Sequence, residues 1–319
     1  MRRLDALNIR DVKHLCKHLG TSPKELQAIC DTVRDGSTKC YREQDKVVNG
    51  KLRHLAEPRG RLRVLLERLN ALLQRLKLPD CLHGGIRGRS NKTNARAHVG
   101  KPMLLKFDIE DFFPNVKHCM VYRMFVERLG CRASVAAKLT RLTTLRGCLP
   151  QGSPTSTIVA NLVIEPLALR MNGLAQQHGA GYGQFVDDGT ISGPAHLRAL
   201  VPLVKRIVAQ EGFRAKEGKT QCVDAEQEQV VTGCRVNQQL DIPSEKVKEV
   251  RGILESLRAD IEQDHLPTAK RLASIEGKIR YVTGLNRGTG RRLHHQYLRV
   301  IVALPRSGAT RAVLKAPAR

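Results

Sequence analysis

Two short segments constrain the fold of this chain more than anything else in it. One is FDIEDFFPNV at 107–116; the other is GYGQFVDDGTISG at 181–193. Met103 to Ile109 reads as a strand buried at Leu104, Leu105 and Phe107, with Asp108 at its end. Asp187 and Asp188 lie side by side between two β-like runs. Adjacent carboxylates at a hairpin turn repel each other unless a cation sits beside them. With both segments in one sheet, three carboxylates meet at strand ends. That set suits two Mg²⁺ ions roughly 4 Å apart, the spacing of in-line phosphoryl displacement. One ion would lower the pKa of an attacking hydroxyl and the other would steady a leaving pyrophosphate. Taken singly, each segment reads first as a polar turn.

A third segment shifts that balance. In CLPQGSPTSTIVANLVIEPLALRM at 148–171, the residues Pro150 to Pro154 make a polar turn, and a helix follows from Thr155 with Ile158, Leu162, Ile164 and Leu167 available to a core. A glycine-containing loop entering a helix N-terminus suits a phosphate or a base pair.

Charge supplies the partner class. The 319 residues carry 55 Lys and Arg against 30 Asp and Glu, a net +25. Residues 1–100 hold a net +12, 101–240 a net +5 and 241–319 a net +8. Two basic flanks bracket a middle richer in carboxylates, which points to a polyanion, nucleic acid before membrane. No apolar run near 18 residues is apparent, so no membrane partner is expected. The start, MRRLDALNIRDVKH, lacks the apolar segment of a secretory signal. Nine Cys without a Cys-x-x-Cys pair exclude zinc-ribbon and thioredoxin-like readings and lead us to expect a reducing cytoplasm. Aromatics are only 3%, too few for a grip based mainly on base stacking.

The remaining chain reads coarsely. Short helices are expected over 1–40, a hairpin over 46–56 around Asn49-Gly50, and then a helix with Leu62, Leu65, Leu66, Leu69, Leu72, Leu73 and Leu76 on one face. A glycine-rich loop follows at 81–100. Beyond Pro243-Ser244, the residues Val247, Val250, Leu254, Leu257 and Ile261 repeat at helical spacing and mark a C-terminal helical module.

The order FDIEDFF, LPQGSPTS, FVDD and GFRAKEGKT resembles motifs A to D of reverse transcriptases. NARAH at 94–98 and Val231-Thr232-Gly233 resemble the NAxxH and VTG signatures of bacterial retron reverse transcriptases, and IEGKIRYVTGLNRGTGRRLHHQY is similar to their thumb. The resemblance covers about Tyr41 to Leu298. It implies an α+β right-hand polymerase fold: a helical extension over 1–40, fingers and an antiparallel-sheet palm over 41–240, and a helical, RNA-binding thumb over 241–319. It implies Asp108, Asp187 and Asp188 as catalytic carboxylates holding two Mg²⁺, helped by the carbonyl of Ile109. Arg53, Asp111, Phe112, Phe113, Gln151 and Lys219 would meet the dNTP, with Phe113 as a gate against a 2′-OH. Phe185, Gly152 and Ser153 would meet primer and template. Asn94, His98, Val231, Thr232 and Gly233 would take part in RNA recognition; no second ligand with suitable spacing lies near His98, so a structural or RNA-contact role is read there ahead of a metal ligand, and Asn94 also suits local backbone bonds in its loop. The implied partners are a cognate noncoding RNA, template and primer at once, its 2′,5′-branched DNA product, and a separate effector protein in antiphage defence. The alternatives are a group II intron-like or diversity-generating enzyme, or an idle RNA-binding scaffold. Three positions depart from the family pattern: Phe185 replaces a usual Tyr, Gly189 a usual Leu and Lys216 a common Asn.

Overall fold

The computed structural model describes residues 7–35, 40–48, 50–263 and 265–302, and the chain divides into two compact units, Met1–Asp224 and Ala225–Arg319. The first unit opens with α1 (Val12–Leu19) and α2 (Pro23–Arg34). Asp11 caps α1 by accepting from the His14 amide at 2.8 Å, and Ser22 caps α2 by accepting from Glu25 at 3.1 Å, with Pro23 in the first turn. A two-stranded ribbon follows, β1 (Tyr41–Val48) and β2 (Lys51–Pro58), paired from Val48↔Lys51 out to Tyr41↔Pro58. It is longer than the 46–56 hairpin expected; Asn49, at its turn, lies outside the described residues. Then come α3 (Gly60–Leu73) and α4 (Asn91–Arg96). Leu62, Leu65, Leu66, Leu69 and Leu73 of α3 are buried, as their spacing requires. On its other face Arg68 donates to the Leu19 carbonyl at 2.7 Å, satisfying the C-terminus of α1.

The central sheet is built from β3 (Met103–Asp108), β4 (Gly181–Phe185), β5 (Asp188–Gly193) and β6 (Gln221–Asp224), in the order β4-β5-β3-β6 and antiparallel throughout. Between β3 and β4 run α5 (Phe112–Asn115), α6 (His118–Arg123), a π-helical turn at Met124–Arg128, α7 (Ala133–Thr143) and α8 (Ser156–Gln177). A 3₁₀ turn at Ala195–Leu200 leads into α9 (Val201–Gln210).

In the sheet, Phe107 stands directly opposite Gly189, and a Cβ on that glycine would lie 2.2 Å from the Phe107 ring. The ring thus fills the space of the leucine that the sequence lacks at 189.

Helix α8 corrects one sequence reading. It is long and apolar enough to cross a membrane, yet most of that stretch is buried inside the unit. Its apolar side chains form the core beneath the sheet. Glu165, on this helix and almost wholly buried, receives a two-pronged pair from Arg128 of the π-helical turn, at 2.5 and 3.2 Å. The extra residue of a π turn re-aims the side chains that follow it, which gives Arg128 this reach.

The second unit holds β7 (Val230–Val231), β8 (Cys234–Arg235), α10 (Ser244–Glu262), α11 (Ala269–Thr283) and α12 (Arg287–Val302). Its core comprises Val250, Leu254 and Leu257 from α10, Ile275 and Ile279 from α11, and Leu293 and Tyr297 from α12. The unit begins ahead of the Pro243-Ser244 boundary expected from sequence. Residues 225–243 are tied to its helices instead: Asn286 donates to Asp241 at 2.8 Å and the Tyr281 hydroxyl to the Gly233 carbonyl at 3.4 Å.

Removing one partner of the Arg128–Glu165 pair strands a buried charge. Glu165→Ala is expected to lower unfolding stability by about 3–5 kcal/mol, read as a fall in the urea midpoint. The volume-matched pair Arg128→Met with Glu165→Leu should recover most of that loss.

Candidate active site

Strand register brings the carboxylates together. Asp108, last residue of β3, pairs across from Asp188, first residue of β5, and Asp187 sits in the tight β4–β5 turn beside them. The turn is held from several sides. Val186 adopts φ +58°, a conformation that costs a β-branched residue about 1–3 kcal/mol. The buried Gln184 amide donates to the Val186 carbonyl at 2.8 Å, and the Ile109 amide donates to the Asp187 carbonyl at 3.0 Å. Residues 81–84 run alongside: Gln184 donates to the Cys81 carbonyl at 2.7 Å, and His83 to the Gln184 carbonyl at 2.8 Å. Gly84 lies so close that a Cβ there would meet Val186 at 2.4 Å, and Asn161 of α8 donates to its carbonyl at 2.6 Å.

Three like charges in so small a space are unfavourable, and the site registers it. Burial, then Asp188 and Asp108, push the Asp187 carboxyl up to about 6. The Lys219 ammonium pairs with Asp108, which holds its pKa above the usual lysine value. Among the described residues no three His, Cys, Asp or Glu side chains close on a common point as a ready-made metal centre. The donor set nevertheless fits a hard cation: oxygen ligands, excess negative charge, and a carboxyl raised by burial and by its neighbours.

These residues floor a cleft of about 650 Å³. Ile109, Asp111, Phe112, Phe113, Gln151, Phe185, Lys219 and Arg53 all line it. Gly152 and Ser153 line an adjoining pocket of about 440 Å³ with Arg53 and Gln151. Alternation along β2 divides the two spaces: Leu52, His54 and Ala56 face the first, Leu55 and Glu57 the second, and Arg53 borders both. The Ala56 amide donates to the Gln151 carbonyl at 2.7 Å, which ties the ribbon to the PQGSP turn. Asp111 holds φ +43° at the start of α5. The Phe112 ring is only 3% exposed and packs against Phe113 and Phe213 at 5.6 and 5.7 Å, so it supports the cleft wall rather than offering a face to a triphosphate.

The cleft also receives residues that sequence reading missed, His54, Arg146, Val186 and Lys216. Only their nearness to the motifs marked them. The Lys216 amide donates to the Asp108 carbonyl at 2.7 Å, a backbone role that leaves its side-chain identity free and accommodates the departure from Asn.

Three expected RNA contacts need correction. Asn94 and His98 are fully buried, so neither side chain is available to RNA. His98 Nδ1 bonds the Ser192 hydroxyl at 2.7 Å, and both side chains crowd Gly183 of β4, where a Cβ would lie 2.3 Å from Asn94 Oδ1 and 2.7 Å from His98 Nε2. The NARAH segment therefore packs behind the strand that leads to Asp187. Val231 is also buried; Thr232 and Gly233 form the β7–β8 turn at φ +45° and +77°, as a type I′ turn requires.

Burial holds His98 down at about 4. Its folded-state value thus lies below the ordinary 6.5, and the unfolded chain takes up the proton first. Stability from neutral His98 is complete above about pH 6.5 and is lost as pH falls toward 4. Asp187, raised to about 6, acts in the opposite sense. A comparison of wild type with His98→Gln isolates the histidine: the gap between their urea-derived stabilities is expected to shrink by about 2 kcal/mol from pH 7.5 to pH 5.

Residues 42–250 match the family of reverse transcriptases (RNA-dependent DNA polymerases). The retron Mx65 reverse transcriptase of Myxococcus xanthus is 34% identical over 268 residues, covering 77% of this chain and 61% of that protein. The retron Ec86 reverse transcriptase of Escherichia coli is 25% identical over 297 residues, covering 92% and 90%. The retron Mx162 reverse transcriptase of M. xanthus is 32% identical over 224 residues, covering 60% and 46%. This chain thus spans less than two thirds of both Myxococcus relatives and most of the E. coli one. Among solved structures, a telomerase from Candida albicans with a fragment of telomeric RNA covers 88% of this chain and 59% of that one, at TM-score 0.47 and 10% identity. With the strand-end carboxylates, the PQGSP turn and the match over 42–250 agreeing, this chain belongs to the reverse transcriptase family and resembles, within it, the retron enzymes of bacteria.

Proposed function

We propose that this chain is the RNA-directed DNA polymerase of a retron. It copies part of a structured noncoding RNA into single-stranded DNA. A guanosine 2′-OH of that RNA attacks the first dNTP, giving a 2′,5′-branched RNA–DNA product. What carries the reading is the register of Asp108 opposite Asp188, with Asp187 in the adjoining turn, on the floor of a cleft walled by Gln151 and Arg53 in a reverse transcriptase chain.

In this reading the β1–β2 ribbon belongs to the fingers, the four-stranded sheet with α8 is the palm, and the helices of the second unit are the thumb. Asp108, Asp187, Asp188 and the carbonyl of Ile109 hold magnesium. Two Mg²⁺ bound there supply an activated attacking hydroxyl and charge stabilisation for the departing pyrophosphate. Lys219 and Arg53 bring positive charge to the phosphates of the incoming nucleotide. Phe113 underlies the sugar and disfavours a 2′-OH, and Gln151 meets the nucleotide or the templating base. Phe185, Gly152 and Ser153 meet primer and template. A net +8 over residues 241–319 suits an RNA backbone, which is gripped through phosphates and 2′-OH groups and needs few aromatics. The Thr232-Gly233 turn belongs to that same unit and helps select the cognate RNA. The setting is the bacterial cytoplasm, and the wider role is antiphage defence with a separate effector protein.

Asp187→Asn keeps the size of the side chain but removes its charge. It is expected to cut Mg²⁺-dependent dNTP incorporation on a primed RNA template by about a thousandfold or more. From the intact locus, wild type should yield a discrete small single-stranded DNA that shifts on debranching, and Asp187→Asn should yield none. A DNA band that persists in the variant would refute the assignment. Phe113→Ala is expected to raise ribonucleotide incorporation relative to deoxynucleotide, read by competition on the same template.

A further inference from the structure

A charged latch ties the β1–β2 ribbon to the turn ahead of the PQGSP segment. Arg146 and Gly147 form a two-residue turn closed by Leu145 and Cys148, whose amide–carbonyl bonds measure 2.8 and 3.1 Å. Both central residues hold positive φ, +48° at Arg146 and +81° at Gly147. Glycine adopts that conformation freely, whereas arginine seldom does. The turn is anchored from beneath: His118 donates its amide to the Gly147 carbonyl at 2.8 Å, and its ring bonds Thr144 at 2.8 Å. From this fixed base the Arg146 guanidinium grips Glu43 of β1 with two parallel bonds of 2.7 Å each. Planar two-pronged pairs are the geometrically specific form of this interaction.

A third member completes the cluster. His54 stands across the ribbon from Asp45, with Nδ1 at 2.8 Å from Asp45 and Nε2 at 2.7 Å from Glu43. Two ring nitrogens that both face carboxylates are both donors, which only the imidazolium provides. The groups facing His54 are Glu43 and Asp45 from β1, with Arg146 held on the same Glu43 oxygen. Its pKa lies above the ordinary 6.5, chiefly through the bonds to Asp45 and Glu43. His54 and Arg146 line the cleft that holds the three carboxylates, and Arg53 is the next residue along β2.

We propose that Arg146, Glu43 and His54 are positioning residues that hold the β1–β2 ribbon, and with it Arg53, at a fixed height over the carboxylates, and thereby set the affinity for the incoming nucleotide. The proposal rests on the polymerase reading above. It differs from a direct substrate contact by Arg146 in one respect: a latch works with its charges exchanged, whereas a cation that grips a triphosphate does not.

The test is a charge-swap cycle of Arg146→Glu, Glu43→Arg and the double variant, made in a His54→Gln background so that no imidazolium faces the cation introduced at position 43, with dNTP KM and kcat measured on a primed RNA template. Each single variant is expected to raise KM about tenfold while kcat stays within a few-fold, and the double to recover most of the KM. In wild type, KM should also rise as pH climbs through the raised His54 pKa, since the neutral ring supplies one donor where two are used. A double variant no better than the worse single, or a loss confined to kcat, overturns the latch. If wild type incorporates no dNTP, the polymerase reading fails, and the latch is then judged on hydrogen exchange of residues 41–58. Faster exchange in each single variant with recovery in the double supports it; unchanged exchange in the singles overturns it.

Discussion

The site depends on holding like charges close together. Asp108, Asp187 and Asp188 repel one another, and a loose chain end would let them separate. The sheet prevents this by register: β3 and β5 are paired along their whole length, so Asp108 and Asp188 cannot part without breaking the ladder. The β4–β5 turn is fixed in the same way, by hydrogen bonds to both Val186 and Asp187 and by the close approach of Gly84. Much of the first unit serves this end. Burial and the residual repulsion together raise the carboxyl of Asp187, and Lys219 on Asp108 offsets the repulsion. Stored electrostatic strain of this kind suits a site meant to take up cations and phosphates.

The second constraint is the support of the sheet from behind. Asn94 and His98 look in sequence like polar residues awaiting a ligand, yet they fill the space over Gly183 and brace β4. The same economy appears at Gly189, where the Phe107 ring occupies the volume that a side chain would claim. The departure at Gly189 thus has a partner that absorbs it. Beneath the sheet, the buried Arg128–Glu165 pair joins the π-helical turn to α8, a helix otherwise apolar enough for a membrane.

Much was legible in the chain itself. Ser22 before Pro23 announces a helix start, the leucine spacing announces α3, and Val250, Leu254, Leu257 and Ile261 announce α10, because caps and periodicity act over a few residues. The carboxylate segments and the PQGSP turn stood out because each pairs a polar, cation-ready group with a local break in structure. The two-residue turn at Thr232-Gly233 was visible as a string, but its left-handed conformation was not, since threonine is not a residue that local preference would place there.

Sequence alone determined the helices α3 and α10, the strand ending at Asp108, the motif order, the excess of positive charge and the three carboxylates that floor the cleft. Tertiary structure alone decided which polar groups reach that cleft and which are buried behind it. Glu43 meets Arg146 across 103 positions, Lys219 meets Asp108 across 111, and His98 meets Ser192 across 94. Contacts at such separations leave no periodic trace and no local propensity. They exist only because antiparallel pairing and helix packing bring distant segments to one place, and the same packing that exposes Arg146 to the cleft seals His98 away from it.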